Sequence, residues 1–195
     1  RQPAYLQTSA IPVHPMNTRS LLSLAFLAPA TVIPLVASAQ SGAPKTFPVG
    51  SLTFTRPAEW NWVAVTSSMR KAQLAVPGLD PSKAAEITFF HFGPSGGGDI
   101  ESNTRRWLGQ FKGAASAEKV EAKQIGGRKV TLVTTEGTYS TGMPGASTAP
   151  MDDYALLGAI IEDAGGNVFV KMTGPKATVQ KATPTFMEFL GNVKP

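Results

Sequence analysis

The 195-residue sequence contains no cysteine. Disulfides, thiolate nucleophiles and cysteine metal ligands are therefore excluded, and the folded part must hold together by packing alone. Histidine is nearly as scarce: two are present, His14 and His91. A metal site built on His91 would need partners of a kind the chain does not offer. Charge of one sign is not concentrated either. The formal net charge is +5, but the basic residues are scattered, with only Arg70-Lys71, Arg105-Arg106 and Arg128-Lys129 adjacent. Nucleic-acid binding asks for a clustered basic stripe with stacking aromatics, so no nucleic-acid partner is expected. No Gly-Lys-Ser/Thr phosphate loop occurs, and nothing in the sequence demands a cofactor.

A long uninterrupted apolar run is also missing. Leu21 to Val36 is apolar but broken by Pro29 and Pro34, and it is shorter than the about 20 residues a spanning helix needs. It reads instead as the core of a secretory signal peptide beginning at Met16. Arg19 supplies the positive charge before the core, and Ala37-Ser38-Ala39 the small residues before the cut. Cleavage is expected between Ala39 and Gln40, leaving a mature chain with no transmembrane helix. Residues 1–15 read as an upstream extension outside the protein, 16–39 as the signal, 40–48 as a flexible leader and 49–195 as a single domain. Loss of Arg1 and Arg19 lowers the formal charge from +5 to +3. The expected location is periplasmic or secreted.

Within that domain the chain is organised around Ala84–Lys112. Ile87 to Phe92 is a nearly continuous apolar run, which suits a strand covered on both faces. A Gly/Pro turn follows. Ile100, Thr104, Trp107, Leu108 and Phe111 then recur at the spacing of one helical face. Ser51–Thr55, Trp60–Val65 and Arg70–Val76 read as earlier strands. Lys119–Ile125 and Lys129–Tyr139 flank Gly126-Gly127, the signal of a tight hairpin. Tyr154–Ile161 reads as a central strand, turned by Ala164–Asn167 into Val168–Thr173. Gly174-Pro175 opens a last helix with the stripe Val179, Ala182, Phe186 and Leu190; Pro184 inside it predicts a kink or a break, and Gly191 the stop. The fold class is α+β, an antiparallel β-sheet flanked by helices.

The strand leading into Pro57-x-x-Trp60, the antiparallel set, the middle helix and the closing hairpin strand plus C-terminal helix together resemble the Mog1/PsbP-like α/β/α sandwich. FGPSGGGDIESNTRRWLGQF and VKMTGP are also similar to uncharacterised exported bacterial proteins. The resemblance runs from about Phe47 to Val193. It implies a binding or assembly role and carries no catalytic residue over.

Gly93-Pro94-Ser95-Gly96-Gly97 matches the G-x-S-x-G nucleophile elbow and lies between a strand and a helix. The chemistry requires a histidine and an orienting acid, yet no histidine follows Ser95, and His91 lies back along the strand. The same glycines could cradle an anion at a helix N-terminus. The candidate interaction residues are therefore Ser95, Gly96 and Gly97. To these are added Met143 and Met151 in the irregular stretch Ser140–Asp153, because methionine suits adaptable contact surfaces. Three functions remain open: a non-catalytic binding or assembly module for an unknown envelope partner, a serine hydrolase using Ser95, and a carrier of a small ligand in an enclosed apolar pocket.

Overall fold

The structure, a computed structural model, describes residues 42–113, 117–140 and 149–195. The expected cleavage site, Ala39 and Gln40, and Met143 lie outside the described residues. The strands are β1 (Thr46–Val49), β2 (Leu52–Thr55), β3 (Asn61–Trp62), β4 (Arg70–Val76), β5 (Ala85–His91), β6 (Phe111–Lys112), β7 (Lys119–Ile125), β8 (Arg128–Tyr139), β9 (Met151–Ile161) and β10 (Val168–Pro175). The helices are α1 (Ile100–Leu108) and α2 (Lys176–Gly191). Strands β1 and β2 form a separate hairpin. The main sheet runs in the order β3-β4-β5-β10-β9-β8, with β6 and β7 both paired to β8, and every pairing is antiparallel.

The register divides the side chains between two faces, because neighbours along a strand point oppositely. On the first face, Leu132, Ala159, Val170, Phe89 and Ala72 form one cross-strand row. Leu157, Met172, Ile87 and Leu74 form the next. The apolar stripe of α2 and the β1–β2 hairpin close over these rows. Phe54, Trp60, Phe89 and Phe189 meet there, with Phe54 and Phe189 stacked at 5.3 Å. On the second face lies the smaller cluster of Trp107, Phe111, Val133, Leu156, Ile160 and Phe169, beneath α1. The layers are helix, sheet, helix.

Several expectations change in detail. Thr46–Pro48, assigned to the flexible leader, belong to β1, because Phe47 is buried against Phe54 and Phe89. The strand expected at Trp60–Val65 shrinks to Asn61–Trp62. The middle helix ends at Leu108 with Gly109 as its cap, so Phe111 reaches the second core from strand β6. Met151, Asp152 and Asp153 are the start of β9, held by the pairing of Met151 with Tyr139. Helix α2 is continuous through Pro184. Pro184 and Gln180 are exposed, so the ring and the carbonyl it leaves without an amide face water, where the loss matters least. The strand Ile87–Phe92 is not covered evenly: Ile87 and Phe89 are buried on the first face, whereas Phe92 is exposed.

Glycine at position 158 is a packing requirement. A Cβ there would lie 2.5 Å from the Trp107 ring, which rests on the bare backbone of β9. Trp107 is 5 % exposed, and its burial contributes on the order of 2–3 kcal/mol. Gly158→Ala is expected to destabilise the protein by about 1–3 kcal/mol, the range for overpacking a filled core. In urea unfolding, Trp107→Leu should remove most of that penalty when combined with it; strictly additive effects would contradict the contact.

Candidate functional site

The Gly93–Gly97 loop is built as an entry to α1. Asp99 caps the helix, its carboxylate accepting from the Ser102 amide at 2.7 Å and the Ser102 hydroxyl at 2.8 Å. These bonds hold the Asp99 carboxyl below its usual pKa. The buried Asn103 side chain donates to the carbonyls of Gly97 and Asp99 at 2.6 and 2.9 Å, fastening loop to helix. A Cβ on Gly96 would strike the Phe92 carbonyl oxygen at 2.1 Å, and one on Gly97, at φ +86°, would meet the rings of Phe169 and Phe92. The glycines thus serve close packing. Ser95 is exposed. His91 lies on the opposite side of the strand, under Gly50, with Nδ1 3.4 Å from the Asn167 carbonyl oxygen. Asp163 accepts from the Ser51 hydroxyl at 2.5 Å and the Gly165 amide at 2.9 Å. Asp163 lines the same hollow as Ser95, but the hydrogen bonds of His91 and Asp163 go to Asn167, Ser51 and Gly165. The hollow beside the loop, about 340 Å³, is lined by both Asp99 and Asp163. Two carboxylates there, one already seated on the helix N-terminus, disfavour an anion.

A larger space lies elsewhere. The second face of the sheet is covered by α1 over β8, β9 and the Phe169 end of β10, and left open over the rest of β10, β5 and β4. The result is a trough of about 730 Å³. Its floor follows from the register. Lys171 of β10 stands beside Thr88 of β5 and Gln73 of β4 in one row; Thr173 stands beside Glu86 in the next. Arg70 Nη1 bonds Glu86 Oε1 at 2.9 Å and the Gln73 side-chain oxygen at 2.7 Å. One wall is Tyr139 and Tyr154, whose rings lie nearly parallel, 3° apart in orientation and 6.0 Å between centres. Met69 and Met151 line the rim, and Phe90 the side next to α1.

Lys171 is the distinctive group. Its Nζ sits 5.3 Å from the Tyr139 ring centre and donates to Gln110 Oε1. Burial lowers its pKa from the ordinary 10.5 to about 8, with Glu86 acting to raise it and Arg106 and Arg70 to lower it further. Burial likewise raises the Tyr139 hydroxyl. Of the residues singled out from sequence, only Met151 belongs to the trough; Ser95, Gly96 and Gly97 lie at the other end of α1. Arg70, Glu86, Tyr139, Tyr154 and Lys171 were missed. The signal was present in VFVKMTG, a single lysine in an otherwise apolar strand.

The interior between sheet and helices is filled on both faces by the two cores. The trough, by contrast, is open to a ligand and has a polar floor. Among the described residues no group of three or more His, Asp or Glu side chains is placed to hold a metal ion, and no helix is long and apolar enough to cross a membrane.

The lysine makes a signed prediction. Between about pH 8 and 10.5 the unfolded chain holds a proton at Lys171 that the folded protein has lost, so this group makes stability rise with pH across that window. Lys171→Met is therefore expected to be more stable than the parent at pH 7, with the difference shrinking towards pH 10.5, in denaturant midpoints measured at both. A difference independent of pH would contradict the burial of the ammonium.

No protein-family model matches the chain, and no curated protein matches it in sequence. Among solved structures the chain is similar to CyanoP, the cyanobacterial PsbP of Synechocystis sp. PCC 6803, with a TM-score of 0.51 and 9 % identity over 83 % of this chain and 98 % of that one. PA94 of Pseudomonas aeruginosa, of unknown function, aligns over 79 % of this chain and 98 % of its own, with a TM-score of 0.47 and 14 % identity. LpqN of Mycobacterium tuberculosis, involved in cell envelope biogenesis, aligns over 74 % of this chain and 84 % of its own, with a TM-score of 0.46 and 14 % identity. The likeness to CyanoP shows the fold: an antiparallel sheet between helices, of the PsbP-like kind.

Proposed function

We propose that this chain is an exported, non-catalytic binding module that engages its partner or ligand through the trough on the open half of the sheet. One observation carries the reading. A sheet face that could have been sealed by apolar residues instead holds Lys171, Arg70 and Glu86 beside two tyrosines. A buried ammonium reduces stability unless it is paired with an anion, so Lys171 on this face fits recognition better than packing. The signal-like segment 16–39 supports an extracytoplasmic role. In this reading, residues 1–15 lie outside the protein and 40–195 are the mature chain.

A photo-reactive amino acid at Met69, exposed on the trough rim, tests the contact surface in the protein's own host. Irradiation is expected to give an adduct at position 69, read by mass spectrometry as a macromolecule or a small molecule. The same probe at the exposed Lys181 on α2 should give none. Adducts at position 181 alone would place the contact elsewhere. The N-terminus of the purified protein is expected at Gln40; a retained signal segment would contradict export by cleavage. A fluorophosphonate probe should leave Ser95 unlabelled, and labelling lost in Ser95→Ala would overturn the non-catalytic reading.

A further inference from the structure

The charges around the trough do not balance. The groups close enough to act on Lys171 are Glu86, Arg106 and Arg70. Along the trough itself Lys171 and Arg70 share one carboxylate, Glu86, which bonds Arg70 at 2.9 Å. Lys171 therefore has a neutral amide, Gln110, and the face of Tyr139 as its companions. A half-buried ammonium with neutral partners is an incomplete site, because a buried cation is held best by an anion with which it also makes hydrogen bonds. Around Lys171 the trough also offers the apolar and aromatic side chains of Phe90, Tyr139, Tyr154, Met69 and Met151. The trough, at about 730 Å³, falls in the size range of small-molecule sites, about 300–1,000 Å³.

We propose that the trough receives a small amphiphilic carboxylate, its acid group on Lys171 with Arg70 on the same floor, and its aryl or alkyl body along Phe90, the tyrosines and the methionines. The assignment rests on the trough being the contact surface. The carboxylate supplies the missing negative charge and can accept from Nζ while Gln110 keeps its own bond. The aromatic wall takes the apolar body without ordering many flexible side chains. A cationic ligand would meet the surplus of positive charge, and a neutral one would leave it in place. Burial is what lowers the pKa of Lys171, and Glu86, bonded to Arg70, offsets it only in part.

The test is a titration of the ¹⁵N-labelled full chain, purified as the host processes it, with 4-phenylbutyrate, indole-3-acetate and their neutral carboxamides. The carboxylates are expected to shift amides of β4, β5 and β10 saturably, and the carboxamides to bind at least tenfold more weakly. Lys171→Met should weaken the carboxylates at least tenfold, and Arg70→Gln several-fold. Lys181→Met, on the exposed face of α2, should change nothing, and the spectra themselves report whether each variant is folded. Equal affinity for acid and amide, shifts confined to other surfaces, or unchanged binding in both Lys171→Met and Arg70→Gln would overturn the proposal. Should the carboxylates fail while position 69 still gives its adduct, the ligand class falls and the contact surface stands. Failure of both removes both.

Discussion

The structure depends on an unequal division of cover between the two faces of one sheet. Strands lie about 4.8 Å apart, so five of them present a width of about 20 Å, whereas a helix with its side chains is about 10 Å across. The first face meets this demand with the 16-residue α2 and the β1–β2 hairpin together. The second has α1 alone, nine residues long. A helix that short, about 14 Å, covers β8, β9 and the Phe169 end of β10. Its position is fixed by a single fit, Trp107 on the bare backbone at Gly158. Everything beyond it towards β4 is left without a lid.

That geometry explains why one strand carries two chemistries. β10 points Val168, Val170 and Met172 into the first core, and Phe169, Lys171 and Thr173 to the other side. Phe169 lies under α1 and is buried; Lys171, two residues along, has passed the edge of the helix. At that boundary neither full burial nor full hydration is available. The lysine stem packs along the sheet while the ammonium finds Gln110, from the segment that follows α1, and the Tyr139 ring. The Arg70–Glu86 pair, with its side chains 34 % and 46 % exposed, lies nearer water and adds little to stability. What it provides is placement: it fixes two charges at one wall of the trough.

Much of this architecture was legible in the sequence. Period-two and period-3.6 patterns located the main strands and both helices, and Gly126-Gly127 marked its hairpin, since positive φ at both positions is readily accepted only by glycine. Phe47 was missed because a single apolar residue among Ser, Gly and Pro gives no pattern, and only the hairpin's fold against Phe89 buries it. Pro184 was over-read because its place on the exposed side of α2 is a tertiary fact. The candidate site was hidden for a deeper reason. Gln73, Glu86, Thr88 and Lys171 become neighbours only through strand register, and a chain read in order does not show that β10 inserts between β5 and β9. The Gly93–Gly97 loop drew attention because its motif is local, and its glycines turn out to be needed for packing against Phe92 and Phe169.

The ammonium of Lys171 sits at the uncovered edge of the second face, desolvated, with the nearest carboxylate among the described residues, Glu86, bonded to Arg70. Its own titration measures that directly. With lysine labelled at ¹³Cε and the Lys171 signal assigned by its absence in Lys171→Arg, the account predicts a midpoint of about 8 in the ligand-free protein. A midpoint at or above the ordinary 10.5 would mean that the side chain is hydrated or already paired, and would contradict the account.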